Sequence, residues 1–432
     1  MGAISMVTIA NIFSTLGNPN SLIPLAIKDT VSTAGMTAGS YITGKEEGHD
    51  RLIDEVGTEI IWLCGIPFFK WLYNKTVFKA FDLDSKFDAR NLKDKSVLAK
   101  IKEYAQTDDI KNNIDKIIKK EKVFKNTATS RFFISTGLAV VSYIGLTKFK
   151  QNYTDNKIRK NLIEEYQNSQ IKNLPKQDIE KSNIQPSFKG LGSVIESLAF
   201  SPVKNMWVLD GCITGERLKD SRTKQEFIGY AIKEASILFF MYYAGGKIQE
   251  LLEYFAEKRH NISINLDARV LEGDFLKNAF NDKSIEKSLA EFKMANTSPA
   301  DLYEFIHKNP DNLIVKTAKI SEIIKMDKET GKIDVRKYID LKEFEGVKDK
   351  IEKLYGQYKE ALVKGKTSQE FFSKVKKLKR GSILTNIGSS ILALGVLTPA
   401  IMLINRVASD DNQEFETKKR IREDLIKKGI IV

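Results

Sequence analysis

The sequence predicts an all-α protein made of two divergent helical repeats, with membrane-embedded helices and a helical cytoplasmic insertion in the second repeat. Three observations predict this architecture. Alternating strand patterns are rare, uncharged apolar stretches recur along the chain, and a set of short motifs occurs twice in the same order. The mean hydropathy of −0.28 indicates that any membrane part shares the 432 residues with large water-exposed parts.

The first repeated motif lies near the start of each repeat. Residues 42–55 read ITGKEEGHDRLIDE and residues 213–226 read ITGERLKDSRTKQE, so Ile-Thr-Gly is followed by Arg and Glu at the same spacing. At an offset of 171 residues (213 minus 42) and without a gap, nine of 28 residues are identical between 42–69 and 213–240. We interpret this agreement as the trace of an internal duplication.

Further motifs recur in the same order. They are Asp88-Ala-Arg90 with Asp267-Ala-Arg269, Gly137 and Leu146-Thr147 with Gly388 and Leu397-Thr398, and Ile158-Arg159-x-x-Leu162-Ile163 with Ile421-Arg422-x-x-Leu425-Ile426. The common order predicts repeat one at 1–170, a polar linker at 171–192 and repeat two at 193–432.

The second repeat contains about seventy residues that the first lacks, within a charged segment at about 275–375. Ser298 followed by Pro299 predicts a helix start, because Ser caps free N–H groups and Pro fits the first turn. A later apolar series at three- and four-residue steps predicts one buried face of a helix. Its members are Phe344, Val347, Ile351, Leu354, Tyr355 and Tyr358.

Five apolar stretches raise the question of a membrane. Residues 381–405 form 25 positions without a charged side chain, which is long enough to cross a bilayer as a helix. The equivalent stretch of repeat one, 132–147, has 16 residues, at or just below the required length. The remaining stretches are the N-terminal 27 residues, 60–69 and 235–246.

The basic residues just before 381 indicate an orientation. Lys and Arg near membrane helices favour the cytoplasmic side, so we expect the insertion to be cytoplasmic. The Lys-, Asn- and Ile-rich composition is typical of an AT-rich genome and predicts the cytoplasmic membrane of a bacterium. The basic residues concerned are Lys374, Lys376, Lys377, Lys379 and Arg380.

The first repeated motif supplies the candidate site residues. Thr43 is predicted to cap a helix, with Glu46 completing a capping box, and Arg51 and Glu55 are spaced to form an ion pair within that helix. The proposed repeat-interface residues are Thr43, Arg51, Glu55, Thr214, Arg222 and Glu226. One interpretation is a packing face repeated by duplication. The alternative is that the two Arg–Glu pairs face each other across a pseudo-two-fold axis, as in a transporter built from two halves.

The Asp-Ala-Arg elements are predicted to start helices, with the Asp at the positive end of the helix dipole. The alternative is that Arg90 and Arg269 contact lipid headgroups.

Other functional classes find no support in the sequence. The two cysteines, Cys64 and Cys212, form no zinc or disulfide pattern, and the three histidines lack metal-ligand spacing. No phosphate-binding loop, nucleophile elbow or dinucleotide fingerprint occurs. We therefore predict no catalytic residue, cofactor or metal. The net charge of +13 is spread along the chain without a nucleic-acid module, so we expect the partner to be a lipid bilayer, its anionic lipids or another membrane protein.

Three functional hypotheses follow. The first is an integral membrane protein with a structural or interaction role. The second is a transporter with a polar site between the repeats. The third is a soluble helical protein that binds anionic membrane surfaces and is released by high salt.

Overall fold

The computed structural model describes residues 9–18, 21–169, 202–221, 224–408 and 413–431. Within these ranges the chain is predominantly helical, and the only β-type pairing is an isolated bridge between Met326 and Ile333. The prediction of an all-α protein is confirmed. The predicted linker at 171–192 lies outside the described residues.

The helices of the first part of the chain include one of unusual length, α7, with 49 residues. They are α1 (Ile9–Leu16), α2 (Ile23–Thr43), α3 (Lys45–Ile60), α4 (Ile66–Tyr73), α5 (Lys95–Glu103), α6 (Asp108–Lys119) and α7 (Glu121–Ser169). A 3₁₀ turn covers Ala89–Leu92.

The second part of the chain contains shorter helices in the predicted insertion. The helices are α8 (Pro202–Lys219), α9 (Lys224–Ile237), α10 (Gly245–His260), α11 (Ala268–Glu272), α12 (Phe275–Asn281), α13 (Ser284–Ala295), α14 (Pro299–Lys308), α15 (Leu313–Ile320), α16 (Leu341–Val363), α17 (Ser368–Leu392), α18 (Thr398–Ala408) and α19 (Gln413–Lys427).

Wider π-helical turns join several of these helices into continuous stretches. They occur at Ile61–Gly65 and Asn74–Phe78 on either side of α4, at Leu238–Ala244 between α9 and α10, and at Ala393–Leu397 between α17 and α18. Pro67 and Pro399 each follow such a turn by two residues. Because proline clashes with the carbonyl four residues earlier in an α-helix, a wider preceding turn allows the helix to continue through it.

The chain divides into two compact units. Unit 1 comprises Met1–Pro24, Leu72–Arg131 and Ala244–Ser389, and unit 2 comprises Leu25–Trp71, Phe132–Tyr243 and Ser390–Val432. Each unit contains residues from both predicted repeats. The division of the structure into units therefore does not follow the predicted repeat boundaries.

Unit 1 has a buried core of aliphatic and aromatic side chains. Ser298 accepts a hydrogen bond from the Asp301 backbone N–H at 3.2 Å, with Pro299 in the first turn, so the predicted helix start is confirmed. All six residues of the predicted apolar face of α16 are buried. Two of them, Tyr355 and Tyr358, belong to an aromatic cluster with ring centroids 5.0–6.2 Å apart, which also contains Phe280, Phe371 and Phe372.

The two Asp-Ala-Arg elements of unit 1 have the same local structure. Asp88 caps the 3₁₀ turn and Asp267 caps α11, each accepting a hydrogen bond from the backbone N–H two residues later, at 3.0 and 2.8 Å. The predicted helix starts are therefore confirmed. Each Arg side chain turns back to its own Asp, with Nη2–Oδ2 distances of 2.7 and 3.0 Å, so both guanidinium groups already have a carboxylate partner.

In unit 2, the two copies of the Ile-Arg-x-x-Leu-Ile motif meet. Ile158 of α7 packs in one hydrophobic cluster with Ile421 and Leu425 of α19. The Arg159 guanidinium lies 3.0 Å from the Asp424 carboxylate. The two copies of this motif thus contact each other inside this unit.

Helix α2 also approaches the π turn before α18 very closely. A Cβ atom at Gly35 would collide with the backbone carbonyl of Gly395, and a Cβ at Gly395 would collide with the side chain of Val31. Small residues permit such close approach of helices.

We expect Gly35→Ala to destabilise the protein by about 1–3 kcal/mol, because a backbone carbonyl cannot move aside as a side chain can. Gly39→Ala is the matched control, since Gly39 lies one turn further along α2 and its Cβ would make an ordinary 3.6 Å contact with Pro399. The measurement is thermal denaturation of the two purified variants. Equal melting temperatures for both would contradict the close packing.

Candidate functional site: a buried chain of charges

Eight charged side chains of unit 2 form a continuous network in which positive and negative groups alternate. They come from α3, α7, α8 and α9, and each residue is no more than 5% exposed. We call this network the charge chain. In order along it, the residues are Arg51, Glu55, Lys233, Glu234, Arg217, Asp54, Lys150 and Asp50.

The first end of the charge chain joins α3 to α9. Arg51 Nη1 lies 3.3 Å from Glu55 Oε1, within one helix. The other oxygen of Glu55 lies 2.7 Å from Lys233 Nζ. Lys233 Nζ is also 3.3 Å from Glu234 Oε1, so a single ammonium group serves two carboxylates.

Arg217 of α8 forms the centre. Its Nη1 donates to Glu234 Oε1, and its Nη2 lies 3.2 Å from Asp54 Oδ2. Its Nε donates to the Tyr143 hydroxyl at 2.6 Å, and Nη2 also donates to Thr58 Oγ1 at 2.9 Å. A planar guanidinium with several fixed donors suits such a junction better than an ammonium group would.

The second end joins α3 to α7. Lys150 Nζ lies 3.7 Å from both Asp54 Oδ1 and Asp50 Oδ2. It donates a hydrogen bond to the Tyr230 hydroxyl at 2.8 Å. Thr154 donates to Asp50 Oδ1 at 2.7 Å.

The Tyr230 ring lies among the cations of the charge chain. Arg51, Lys150 and Arg217 are 5.1, 5.6 and 5.6 Å from its centroid. Cations at this distance from an aromatic ring are attracted by its quadrupole. Tyr230 therefore adds a shared favourable partner for three positive charges.

The charge chain is electrically balanced, with four cations and four carboxylates. A buried charge is tolerated when it is paired and hydrogen-bonded, whereas an isolated one is very costly. Alternation gives every interior member of the chain two partners of opposite sign. Such an arrangement fixes which helices pack together and in which register.

The sequence of α3 explains how one helix supplies half of the charge chain. Asp50, Arg51, Asp54 and Glu55 are spaced so that they fall within an arc of about 140° on a helix. The other four side chains come from three helices that follow much later in the sequence.

A cavity of about 20 Å³ borders the charge chain, enough for about one water molecule. Tyr242 donates a hydrogen bond to Asp210 in its wall. The lining residues are Asp29, Glu55, Thr58, Trp62, Asp210, Ile213, Arg217, Lys233, Glu234 and Ile237.

Four of the sequence-predicted site residues lie in or beside this network, because Glu226 also interacts electrostatically with Lys150. Arg51 and Glu55 form the predicted intrahelical ion pair. Thr214 donates to Glu234 Oε2 at 3.2 Å. Glu226 is buried on α9, and Arg222 lies outside the described residues.

The predicted capping role of Thr43 is wrong. The N-cap of α3 is Gly44, without a side-chain cap, while Thr43 ends α2 and donates to the Ser40 carbonyl at 2.8 Å. Glu46 pairs instead with Lys157 at 2.8 Å. In the second copy, Thr214 lies inside α8, so the two Ile-Thr-Gly motifs do not occupy corresponding helix positions.

Sequence reasoning missed most of the charge chain. Lys150 follows the apolar 132–147 stretch by three residues and is 1% exposed. Lys233 and Glu234 directly precede the apolar stretch at 235–246. The sequence offered one signal for these residues, which is that they lie next to apolar stretches. The missed residues are Asp50, Asp54, Lys150, Arg217, Lys233 and Glu234.

Among the described residues, no group of three or more His, Cys, Asp or Glu side chains is arranged to hold a metal ion. Comparisons of the chain with protein-family models, curated proteins and solved structures found no match.

We expect Lys233→Met to destabilise the protein by about 3–5 kcal/mol, because it leaves Glu55 and Glu234 buried with one cationic partner fewer each. Adding Glu55→Gln should restore part of this loss, since it removes one of the uncompensated carboxylates. The measurement is thermal denaturation of the single and double variants.

The control is Lys160→Met, which breaks an exposed ion pair with Glu164 at 3.7 Å on α7. A change of at most about 1 kcal/mol is expected there. If Lys233→Met were as mild as this control, the charge chain would not hold unit 2 together.

Proposed function

We propose that this protein is an integral membrane protein with a structural or interaction role, in which the charge chain holds the helices of unit 2 together. The observation that carries the proposal is the reversed polarity of α7. Its inward stripe between 135 and 154 is polar, and its outward stripe is largely apolar.

The buried stripe of α7 consists mainly of hydroxyl groups and one ammonium group. Its polar members are Ser135, Thr136, Tyr143, Thr147, Lys150 and Thr154. The outward stripe includes Val141 at 55% and Phe149 at 61% exposure, together with Phe133, Ile134 and Leu138. A helix of a water-soluble protein places its apolar stripe in the core. The reverse arrangement is expected when the helix is surrounded by lipid instead of water.

A second helical stretch supports the same conclusion. Glu121–Gln167 and Ser368–Asn405 are both long and apolar enough to cross a membrane, by length and composition. Only 33% of the most apolar window of each is buried within the protein. Outward side chains in the second stretch are Leu392, Val396, Leu397, Ile401 and Ile404.

The proposed duplication is supported by the order of the elements, at a corrected register. Lys45 begins α3 and Lys224 begins α9, an offset of 179 residues (224 minus 45). Both helices lead through a π turn into a further helix, and then to an Asp-Ala-Arg cap. Asp88 and Asp267 have the same offset, 267 minus 88. In this register Glu55 corresponds to Glu234, and both carboxylates bind Lys233.

The cytoplasmic orientation of the insertion, in a bacterial cytoplasmic membrane, is part of this proposal. It rests on the basic run before residue 381. Lys376, Lys379 and Arg380 of that run pair with acidic residues of unit 1, whereas Lys374 and Lys377 are exposed. The exposed pair is available to an anionic leaflet.

Extraction of isolated membranes tests the proposal. We expect the protein to stay in the membrane pellet through high salt and then alkaline carbonate, because apolar helices embedded in lipid do not depend on surface charge. The measurement is an immunoblot of pellet and supernatant after each step. The matched controls are a known integral and a known peripheral protein of the same membranes.

Release by salt alone would overturn the proposal. Exposed charge attractions are screened by salt, so that outcome would favour the third hypothesis, a soluble helical protein bound to anionic lipids. Release only by carbonate would also exclude an embedded α7.

A second candidate is a transporter for protons or small ions. It is favoured by one observation: the charge chain links helices of both proposed repeats and borders a cavity of water size. A cavity of this volume has no room for an organic solute. In transporters built from repeats, the site lies between the two copies.

Proteoliposomes containing a pH-sensitive dye test this candidate. Proton entry faster than in empty liposomes, and slowed by Asp210→Asn in the cavity wall, is the expected result for a transporter. Entry equal to that of empty liposomes would exclude it and leave the structural role.

A further inference from the structure

Helix α10 of unit 1 presents an exposed face that no other part of the described chain covers. Leu251, Tyr254 and Phe255 are 53–55% exposed and fall on one side of the helix. Three such side chains, two of them aromatic, form a contiguous apolar surface at one place, in contrast to the scattered exposed residues of an ordinary surface.

Basic side chains bracket this apolar face. Lys247 lies one turn before Leu251, and Lys258 and Arg259 lie one turn after Tyr254 and Phe255. Lys258 Nζ is 5.6 Å from the Tyr254 ring centroid. The acid on this side, Glu250, is paired with Lys247 at 2.7 Å. Lys258 and Arg259 therefore give this side its excess of positive charge.

More cations gather at the C-terminal end of α10. Lys366 and Lys374 are exposed. Partial burial, and then the charges of Lys374, Arg259 and Lys366, lower the pKa of His260. Lys366, Lys374 and Arg259 therefore lie close enough to His260 to act on it electrostatically.

We propose that the outer face of α10 lies on a bilayer surface of anionic headgroups, with Leu251, Tyr254 and Phe255 at the acyl boundary. This inference rests on the proposed membrane function and identifies the surface through which unit 1 meets the membrane. We call the five residues Lys247, Leu251, Tyr254, Phe255 and Lys258 the interfacial face.

The side chains of the interfacial face favour an anionic bilayer surface as the partner. Tyr and other aromatic rings with an apolar body are enriched at the headgroup level. Lysines extend an apolar stem along the boundary and keep the ammonium group in water. Positive charge complements the anionic cytoplasmic leaflet, and helices that lie in the interface plane combine these features.

Fluorescent labelling of the full chain in vesicles tests the proposal. The two native cysteines, Cys64 and Cys212, are free, so Cys64→Ala and Cys212→Ala give a background for one label. Tyr254→Cys places an environment-sensitive dye on the interfacial face. Met294→Cys, at a 74% exposed position on α13, is the matched control outside it.

The labelled protein is reconstituted in phosphatidylcholine vesicles with and without phosphatidylglycerol. We expect the dye at 254 to be quenched by headgroup-labelled nitroxide lipid and protected from aqueous iodide several-fold better than the dye at 294. Phosphatidylglycerol should strengthen the protection, and Lys258→Gln with Arg259→Gln should remove that gain.

Equal iodide quenching at 254 and 294, in protein that resists carbonate extraction, would overturn this inference alone. Protection of 254 that is independent of phosphatidylglycerol would overturn the anionic headgroup as the occupant. Failure of the proposed membrane function would appear separately, as release of the unlabelled protein by carbonate.

Discussion

The constraint on which unit 2 depends is the cost of removing a charge from water. Burying an unpaired ion is prohibitive, and pairing compensates only when the geometry is good. The charge chain satisfies this constraint with eight alternating groups, and Arg217 at its centre bonds to Glu234, Asp54, Thr58 and Tyr143. Helices α3, α7, α8 and α9 are thereby held in one register, because a rotation of any of them would leave a carboxylate or a cation without its partner.

The two units differ in which kinds of side chain they bury. Unit 1 buries rings and aliphatic side chains, as in the aromatic cluster around Phe280, and its ion pairs are mostly partly exposed. Unit 2 also buries apolar side chains such as Ile158 and Leu425, but it buries the charge chain and the hydroxyl groups of α7 as well, and it turns Val141 and Phe149 outward. The mean hydropathy of −0.28 is an average over both units and does not show this difference.

The sequence allowed the helical class, the apolar face of α16, the Ser298 start and the Asp-Ala-Arg caps to be predicted, because each depends on local spacing and hydrogen bonding. Arg51 and Glu55 were identified for the same reason, as an intrahelical pair. Their partner Lys233 could not be identified, since a contact between residues 178 positions apart depends on tertiary packing. The Thr43 cap failed because Gly44 separates α2 from α3.

The distribution of the charge chain along the sequence has a consequence for biosynthesis. Helix α3 alone contributes three carboxylates and one guanidinium group, and its compensating cations, Lys150, Arg217 and Lys233, are translated later. A ribosome that has completed only the first hundred residues has therefore made three of the four carboxylates of the charge chain and only one of its four cations, Arg51. Glu55 of α3 finds its second cationic partner only in Lys233 of α9, so the charge chain can be completed only after the second half of the protein has been synthesised.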